Sequence, residues 1–502
     1  MYPEDWEVLA EDLELVKSGR KDLHNLEYRW LDSEGEPVWI NCRGVVIKDA
    51  KGAPSYMIGC VNEMGKKQRA DNVSGLLGES SLRTYMNNVY TKTKQGFLLR
   101  IGIDNFKDIN ANKGIEYGDR ILRKTADCIR DVMGAGQNLY RIVADEFIIL
   151  DYMGGTVKDA NQLYRRIRKK IDASIEENNY EVFYTISGGV LGNKQMNGQS
   201  FSHIMKLSEF VLSQAKHAGK NQCCIFSNED YEQYRSKKRL THILRRAIDD
   251  NFRGFEAYFQ PIVDANTHQI IMAETLTRFS TEETGFVPPD RFIPILEDTG
   301  LIIPMGRWVL HEALAFCKKV QRFIPGFRIS VNVSHIQVMK SDAYKEIMAE
   351  IEEFGLKPES LVVELTESGL LETNANLKRF CKGIRKSGIQ LALDDFGTGY
   401  SNFHYLYDLK PNIVKIDRSF TSTALKNTYE YNLLNKMIDM AHSIELSLCT
   451  EGIETQEELD IIARLQPDYI QGYFFGKPSP PDILFKTHVK EIRKIKAGTK
   501  KN

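Results

Sequence analysis

The chain has 502 residues, 42% of them hydrophobic, which is enough to bury sizeable cores in about three folded units. Its 67 Lys and Arg nearly balance its 68 Asp and Glu, so the formal net charge is −1. This balance argues against a protein that binds a nucleic-acid polymer or an acidic membrane through an overall positive field, and any anionic ligand must be held locally.

Cysteine usage and the lack of long apolar runs predict a cytoplasmic protein. The eight cysteines are scattered through apolar segments without a C-x-x-C pair, a pattern typical of reduced, buried thiols. No apolar run approaches the ~18 residues of a membrane span, and the first residues, MYPEDWEVLAEDLELV, are acidic and unlike a signal peptide. We therefore expect no membrane segment in this chain.

Residues 1–67 contain β-rich runs separated by the turn pairs Glu34-Gly35 and Lys51-Gly52. This pattern predicts a short antiparallel meander. The stretch LEYRWLDSEGEPVWINCRGVVIKDAKGAPSYMIGCVNE resembles the C-terminal part of a PAS sensor domain. These 67 residues are too few for the whole PAS fold, so the resemblance implies a partial PAS-like sensor segment without the ligand-holding first half.

Residues 68–230 change to helices that alternate with strands such as FLLRIGIDNF, YRIVADEFIIL and VFYTISGGVLG. This alternation predicts an α/β sandwich. Residues 231–253 are highly charged, with apolar positions near helical spacing, which favours a solvated linker helix over an anion site.

Residues 254–495 contain eight β-rich runs that alternate with helical segments. This spacing predicts an α/β fold of the TIM-type (β/α)8 barrel class, with allowance for an irregular first strand.

Polar residues cluster at the ends of the predicted barrel strands. In a β/α barrel these carboxyl ends form one rim, so residues distant in sequence should converge there. The rim residues are Glu274, Asn332, Glu364, Asp394, Asp395, Lys415, Asp417, Glu451 and Gln471. The set is rich in oxygen and contains no His or Cys, which suits hard cations such as Mg²⁺ or Mn²⁺. Two such ions could activate water for a displacement at a phosphodiester.

Single members of this set have an alternative interpretation as helix caps or salt-bridge partners, whereas accidental placement at nearly every strand end is improbable. Two carboxylates about 4 Å apart repel by roughly 4 kcal/mol at an effective dielectric near 20, so the adjacent Asp394 and Asp395 favour a bound cation. The run Asp395-Phe396-Gly397-Thr398-Gly399 is predicted to be a mobile loop that completes the site rather than an ordinary glycine turn.

The barrel segment resembles EAL-domain cyclic di-GMP phosphodiesterases over residues 240–490. The motifs that carry the resemblance are YFQPIV, ETLTR, VNVS, ELTES, DDFGTGYS, KIDRSF, EGIET and QGYFFGKP. The resemblance implies a hydrolase that opens the bacterial second messenger cyclic di-GMP to linear pGpG with two Mg²⁺ or Mn²⁺ ions, and it implies a homodimer. The alternative is a catalytically silent cyclic di-GMP receptor.

The resemblance also implies roles for individual residues. The implied metal ligands are Glu274, Asn332, Glu364, Asp394 and Asp395, with Glu451 and Gln471 completing the coordination or water shell. The implied catalytic residues are Lys415, which would stabilise the attacking hydroxide, Glu451, which would take part as general base, and Glu367, which would orient the loop after Asp395. Gln260 and Arg278 would contact the substrate, since a guanidinium fork suits phosphate oxygens.

The signature departs from the E-A-L-L-R of its namesake, because residues 274–278 are Glu-Thr-Leu-Thr-Arg. The metal-binding Glu274 and the phosphate-binding Arg278 are retained. Thr275 and Thr277 alternate with the functional side chains, so we expect them to point toward the helices, where a hydroxyl is tolerated if it finds a partner. The departure affects the expected rate more than the chemistry.

Residues 69–228 resemble the GGDEF domain of diguanylate cyclases through DNVSGLLG, IDNFKDINANKGIEYGD, YRIVADEFIIL, SGGV and AKHAGKN. Val143 and Ala144 replace the two glycines of the family's hairpin, and their Cβ atoms would crowd GTP. Gly102 replaces the family's first metal-binding aspartate. The resemblance therefore implies a degenerate domain that cannot cyclise GTP.

Some nucleotide-binding positions of that family persist. Asn110 and Asp119 match positions that recognise guanine, and Lys216 and Lys220 match basic positions beside the phosphates. Two alternatives follow for this domain: a GTP-binding regulatory module, or an inert scaffold for dimerisation or packing.

Overall fold

The computed structural model describes residues 5–31, 37–49, 52–63, 71, 73–87, 96–134, 136–177, 182–366, 375–396, 403–424 and 427–489. The chain divides into two compact units, Met1–Tyr234 and Arg235–Asn502. Within the described ranges, no helix combines the length and the apolar character needed to cross a membrane.

The first unit begins with a helix on a three-stranded antiparallel sheet. The helix is α1 (Trp6–Lys17), and the strands, in sheet order, are β1 (Leu23–Leu31), β2 (Pro37–Lys48) and β3 (Pro54–Glu63). Leu9 of the helix packs against Tyr28 and Ile40, which are paired in the register of β1 and β2. The predicted meander is confirmed.

A five-stranded sheet follows in the same unit, in the order β5-β6-β4-β7-β8. Its strands are β4 (Phe97–Ile103), β5 (Gln137–Arg141), β6 (Glu146–Asp151), β7 (Ile186–Gly192) and β8 (Cys223–Ile225). The helices of this region are α2 (Glu79–Tyr85), α3 (Phe106–Lys113), α4 (Ile115–Val132), α5 (Val157–Glu177), α6 (Asn193–Met196) and α7 (Phe201–His217).

Strand β4 lies at the centre of this sheet and is buried along its whole length. Because successive residues of a strand face opposite sides, Leu99 and Ile101 join one hydrophobic cluster while Leu98 joins the other. Each face of the sheet is thus covered, and the predicted α/β sandwich is confirmed.

Helix α8 (Asn228–Asp249) begins in the first unit and ends in the second. The sequence predicts a solvated linker helix here, but one face of its C-terminal half is buried. Leu240, Leu244 and Ile248 recur every fourth residue and form one face, which packs in a cluster with Phe255 and Phe279.

The second unit is built on a nine-stranded sheet in which eight strands close a barrel. The strands are β9 (Phe255–Asp264), β10 (Ile270–Thr281), β11 (Gly285–Val287), β12 (Arg328–Asn332), β13 (Leu361–Thr366), β14 (Gln390–Phe396), β15 (Ile413–Ile416), β16 (Ser447–Thr450) and β17 (Tyr469–Gln471). Strand β10 and strands β12 to β17 pair in parallel in chain order, and β9 closes the ring by antiparallel pairing with β10 and β17. The antiparallel β11 extends β10 outside the ring. The predicted barrel and its irregular first strand are confirmed.

Helices surround the barrel and pack against the outward-facing strand residues. They are α9 (Pro289–Thr299), α10 (Ile302–Gln321), α11 (His335–Lys340), α12 (Ala343–Phe354), α13 (Ala375–Ser387), α14 (Phe403–Leu409), α15 (Arg418–Ala424), α16 (Thr428–Ser443), α17 (Gln456–Ala463) and α18 (Pro481–Leu484), with a 3₁₀ turn at Pro358–Ser360 and a π-helical turn at Phe485–Val489. Leu314, Ile384 and Ile462 of these helices share one cluster with Val363 and Leu391 of the strands. The inward-facing residues of the same strands are therefore left to fill the barrel.

Candidate active site

Apolar residues fill the barrel directly below its polar rim. They are Ile262, Met272, Val362, Ala392, Ile413 and Cys449. Residues two apart on a strand face the same side, so the next inward residue on each parallel strand is polar. The resulting pairs are Met272 with Glu274, Val362 with Glu364, Ala392 with Asp394, Ile413 with Lys415 and Cys449 with Glu451. On the antiparallel β9 the order is reversed, and Gln260 precedes Ile262.

Glu274 lies inside β10 rather than at its end. The prediction that it closes the strand is wrong, because β10 continues to Thr281 by antiparallel pairing, first with β9 as far as Phe279 and then with β11. The parallel pairing of β10 with β12 nevertheless stops at Thr275. Glu274 therefore stands where the parallel part of the barrel ends, at the level of the rim.

Lys415 stands among four carboxylates at this rim. Its Nζ lies 3.1 Å from Oε2 of Glu274, 3.0 Å from Oε2 of Glu364, 3.4 Å from Oδ1 of Asp394 and 2.8 Å from Oε1 of Glu451. Lys415 and Glu364 are almost completely buried, at 2% and 1% exposure. The structure thus brings four predicted acids into contact with the predicted Lys415, and we call these five residues the rim cluster.

Burial and the surrounding charges set the protonation of the rim cluster. Burial would lower the pKa of Lys415, but the carboxylates around it, led by Asp394 and Glu274, raise it well above its ordinary value. Burial raises the pKa of Glu364 well above its usual range and that of Glu451 to about 8, against the opposing effect of Lys415. Lys415 is therefore protonated, and the charged forms of the carboxylates around it are costly unless a cation shares their charge.

Two amide side chains, those of Asn332 and Gln471, hold Glu274 in place. Asn332 Nδ2 donates to Glu274 Oε1 at 2.9 Å, and Gln471 Nε2 donates to Glu274 Oε2 at 2.7 Å and to Gln260 Oε1 at 3.1 Å. Burial would raise the pKa of Glu274, but Lys415 and these amides lower it. Among the described residues, the buried Oε1 of Gln471 has no hydrogen-bond partner. It offers an acceptor for a water molecule at the edge of the cluster.

The donor set fits the predicted divalent cations. Glu274, Glu364 and Asp394 each present a carboxylate oxygen, and these oxygens all lie within 4.8 Å of one another. Carboxylate and amide oxygens are the ligands that Mg²⁺ and Mn²⁺ favour. The buried acidic group, together with the unpartnered acceptor of Gln471, can therefore accommodate hard cations and their water.

Asp395 lies at an irregular point of β14. The pairing with β15 shifts register between Leu393 and Phe396, and Asp395 adopts a left-handed backbone with φ 56°. Its N–H donates to Oδ1 of Asp394 at 3.0 Å, and burial together with Asp394 raises its pKa to about 6. The bulge breaks the strict alternation, so that both neighbouring acids face the barrel mouth. Glu367 and residues 397–399 of the predicted loop lie outside the described residues.

A groove of about 340 Å³ leads from the rim cluster toward α9 and α10. Its lining includes Glu274, Arg278, Phe292, Ile302, Asp394 and Asp395. The Arg278 guanidinium stacks over the ring of Tyr258 at 5.5 Å, which presents it at the groove. Tyr258 is missing from the predicted site, although its place two residues before Gln260 on β9 indicates the same face.

Of the four predicted nucleotide residues of the α/β sandwich, the two lysines contact protein groups. Lys220 Nζ donates to Asn105 Oδ1 at 2.7 Å, and Lys216 Nζ lies 3.7 Å from Asp145 Oδ2. Asp119 is half-buried on α4. Oδ1 of Asn110 is covered and, within the described part of the chain, has no hydrogen-bond partner.

The hairpin between β5 and β6 carries Val143 and Ala144 in the predicted place. Val143 is 60% exposed, and Ala144 adopts a left-handed backbone with φ 48°, a conformation that favours glycine. Glu146, directly after the hairpin, accepts a hydrogen bond from Arg100 Nε at 2.7 Å. Arg100 is absent from the predicted site, although it lies two residues before Gly102 on β4 and so shares its face.

Comparison with known protein families divides the chain into three parts. The family described as EAL domain matches residues 242–478, the family described as diguanylate cyclase, GGDEF domain, matches residues 72–222, and the family described as PAS fold matches residues 1–61.

Two relatives from Pseudomonas aeruginosa and one solved structure illustrate the similarity. The bifunctional diguanylate cyclase/cyclic di-GMP phosphodiesterase MucR is 28% identical over 392 residues, covering 77% of this chain and 56% of the relative. The cyclic di-GMP phosphodiesterase NbdA is 28% identical over 427 residues, covering 82% of this chain and 53% of the relative. The chain therefore spans a little over half the length of these two relatives. The solved structure of EAL enzyme Bd1971, in its cAMP and cyclic-di-GMP bound form, matches with a TM-score of 0.50 and 24% identity. The match covers 60% of this chain and 80% of that chain, and it supports the fold assigned to this chain.

Proposed function

Because the chain carries a PAS fold, a GGDEF domain and an EAL domain, we propose that its barrel hydrolyses cyclic di-GMP to linear pGpG. The observation that carries the proposal is the buried group of three carboxylates, Glu274, Glu364 and Asp394, around the Lys415 ammonium. Relatives named as cyclic di-GMP phosphodiesterases support the choice of substrate.

The reaction opens one phosphodiester of the cyclic substrate. A bond forms between phosphorus and the oxygen of water, and one bond between phosphorus and a ribose oxygen breaks. We propose that Glu274, Asn332, Glu364, Asp394 and Asp395 hold two Mg²⁺ or Mn²⁺ ions, with Glu451 and Gln471 completing the shell. Two such ions, when bound, acidify water and neutralise charge on the phosphate and on the leaving oxygen.

In this proposal Lys415 supplies a positive charge and Glu451 transfers the proton. The carboxylates around Lys415 raise its pKa, so it acts as a fixed positive charge beside the attacking oxygen and not as a base. Glu451, 2.8 Å from Lys415, is half-buried and is the member of the cluster most open to solvent. It is therefore the carboxylate that takes up the proton of water and passes it on.

Arg278 and Gln260 provide the substrate contacts. Stacking on Tyr258 fixes the plane of the Arg278 guanidinium at the groove, and this fork can bind two phosphate oxygens. Gln260 shares a hydrogen bond with Gln471 and so links the substrate side of the groove to Glu274. Glu367 is proposed to orient the loop after Asp395, and the homodimer implied by the EAL resemblance stays a prediction.

The GGDEF domain is proposed to be unable to cyclise GTP, because Gly102 lacks the carboxylate that the family uses for a metal ion. GTP binding through Asn110, Asp119, Lys216 and Lys220 stays a prediction, and the inert scaffold is its alternative. Equilibrium dialysis of the full chain with labelled GTP decides between them. Saturable binding that Lys220→Ala weakens supports the regulatory module, and no saturable binding at millimolar GTP excludes it.

A turnover assay tests the function of the barrel. The full chain is incubated with cyclic di-GMP and Mn²⁺ or Mg²⁺, and pGpG is measured by chromatography. Glu274→Ala should reduce turnover by about 10³-fold or more, because it removes a ligand shared by the cluster and disturbs metal binding worth several kcal/mol. Glu352→Ala, an exposed glutamate on α12, is the matched control and should leave turnover unchanged.

Two outcomes would contradict the proposal. Turnover by Glu274→Ala at the parental rate would remove the site assignment. A parent that binds cyclic di-GMP and yields no pGpG with either ion across the pH range would establish the alternative, a catalytically silent receptor.

A further inference from the structure

Four charged side chains meet beside the β5–β6 hairpin of the GGDEF domain, and we call them the hairpin cluster. They are Arg100, Asp145, Glu146 and Lys216. Arg100 Nε lies 2.7 Å from Glu146 Oε2, and its Nη1 also donates to the Met205 carbonyl oxygen and to Ser208 Oγ, both at 3.2 Å. Arg100 is only 6% exposed, so α7 holds it firmly against Glu146.

Gly102 marks the place where a carboxylate ligand would have to stand. It is directly opposite Glu146 in the antiparallel pairing of β4 with β6, so side chains at these two positions lie on the same face. A Cβ atom at Gly102 would lie 2.8 Å from Nζ of Lys216 and 3.0 Å from its Cε. The end of the Lys216 side chain therefore occupies the space beside Glu146 that a second acidic side chain would need.

The charges of the hairpin cluster are already balanced. Two carboxylates, Asp145 and Glu146, face one guanidinium and one ammonium, and their formal charges cancel. Burial raises the pKa of Asp145, and Lys216 opposes that rise by favouring the charged carboxylate. A divalent cation would find Glu146 already bound to Arg100 and Asp145 already beside the Lys216 ammonium, so these residues do not fit a metal ion.

We propose that the ammonium of Lys216 replaces a divalent cation at this hairpin, so that the domain binds no metal ion there unless Lys216 is removed and a carboxylate is placed at position 102. This inference is independent of the function proposed for the barrel. It assigns Lys216 a structural role, which is to compensate the negative charge of Asp145. The family resemblance instead links this position to phosphate binding.

Counting bound Mn²⁺ in the full chain tests this proposal. The barrel is first disabled by Glu274→Gln and Asp394→Asn, and bound Mn²⁺ is measured by electron paramagnetic resonance. In this background the further change Glu146→Gln should remove no bound ion, because none is held at the hairpin. If Glu146→Gln removes one Mn²⁺ per chain while Lys216 is still present, the hairpin does hold an ion and the proposal is overturned.

Adding the missing carboxylate provides the second test in the same background. Gly102→Asp together with Lys216→Met should gain one Mn²⁺ that Glu146→Gln removes. Gly102→Asp alone should bind Mn²⁺ at least about tenfold more weakly than the double variant, because Asp at position 102 pairs with Lys216. Equal affinity of the two variants would show that Lys216 does not block the ion and would also overturn the proposal.

Hydrogen exchange in peptides from β4 and β6 reports whether these variants fold. Lys216→Met alone should gain no Mn²⁺ and should lose protection at the hairpin, because it leaves Asp145 without its ammonium partner. Unchanged protection in Lys216→Met would contradict the compensating role of the ammonium even if every other variant failed to fold.

Discussion

The rim cluster of the barrel and the hairpin cluster of the GGDEF domain both place a lysine ammonium among carboxylates. At the rim, one ammonium faces four carboxylates, a formal charge of −3. At the hairpin, an ammonium and a guanidinium face two carboxylates, and the formal charge is zero. With every carboxylate ionised, only the rim carries an excess of negative charge that cations could neutralise, so the presence of acidic residues alone does not make a metal site.

The two sites also share an unusual backbone conformation with different consequences. Asp395 at the rim and Ala144 at the hairpin both have left-handed φ values, 56° and 48°. At the rim this conformation turns a second acid toward the barrel mouth. At the hairpin it is retained where the family has a glycine, and it only adds strain. The same backbone conformation brings a second acid to the rim in one region and is adopted by an alanine without a carboxylate in the other.

Lys415→Met should have the largest effect and would sharpen this contrast. Without metal it leaves buried carboxylates unpaired and should destabilise the barrel by ~3–5 kcal/mol. Mn²⁺ should recover much of this loss, because the cations can compensate the same carboxylates. Hydrogen exchange in peptides from β13 and β15, measured with and without Mn²⁺, provides the test.

Lys319→Met is the matched control for that experiment. Lys319 forms an exposed ion pair with Asp482 on the same domain, and its loss should leave barrel protection nearly unchanged with or without Mn²⁺. If Mn²⁺ fails to stabilise Lys415→Met, the negative charge at the rim is not a cation site and the contrast with the hairpin disappears.

Substitutions of Gln471 should have the next largest effect, on turnover. Gln471→Ala removes the donor to Glu274 Oε2 and should slow pGpG formation by about 10–100-fold. Gln471→Glu should be slower still, because it replaces that donor by a carboxylate beside Glu274. Chromatographic rates for the two variants test the order, and a faster Gln471→Glu would show that Gln471 does not hold Glu274 through its amide.

The rim was predictable from sequence because alternation and strand ends determine which residues converge on a barrel mouth. The sequence places Glu274 at a strand end because the residues of β10 alone do not show that β10 continues by antiparallel pairing with β9. Tyr258 and Arg100 were missed for a related reason. Each acts through a contact on a strand face rather than through a motif, and only the register shows which polar group it meets.

Thr275→Val tests whether the departures from the family signature at the rim are harmless, unlike those at the hairpin. Thr275 is 3% exposed, and its hydroxyl has no hydrogen-bond partner among the described residues, contrary to the expectation that a buried hydroxyl is satisfied. Valine keeps the shape and removes that group, so the barrel should gain about 1 kcal/mol with turnover changed less than about twofold. Urea unfolding measures the gain, and Thr277→Val, at a half-buried position, should gain less.

Ala144→Gly should have the smallest effect and tests whether restoring one glycine revives the hairpin. The left-handed conformation costs alanine ~1–2 kcal/mol, whereas glycine loses ~0.5–1 kcal/mol more conformational entropy on folding. The free energy of unfolding of the domain should therefore rise by roughly 0.5–1 kcal/mol. Ala111→Gly, exposed on α3, is the matched control and should lose ~1 kcal/mol instead. Hydrogen exchange of β5, β6 and α3 peptides distinguishes the two signs. Neither variant should form cyclic di-GMP from GTP, because Gly102 still supplies no metal ligand. Any cyclase activity of Ala144→Gly would mean that the backbone conformation of the hairpin blocks catalysis, and not the balanced charges around Lys216.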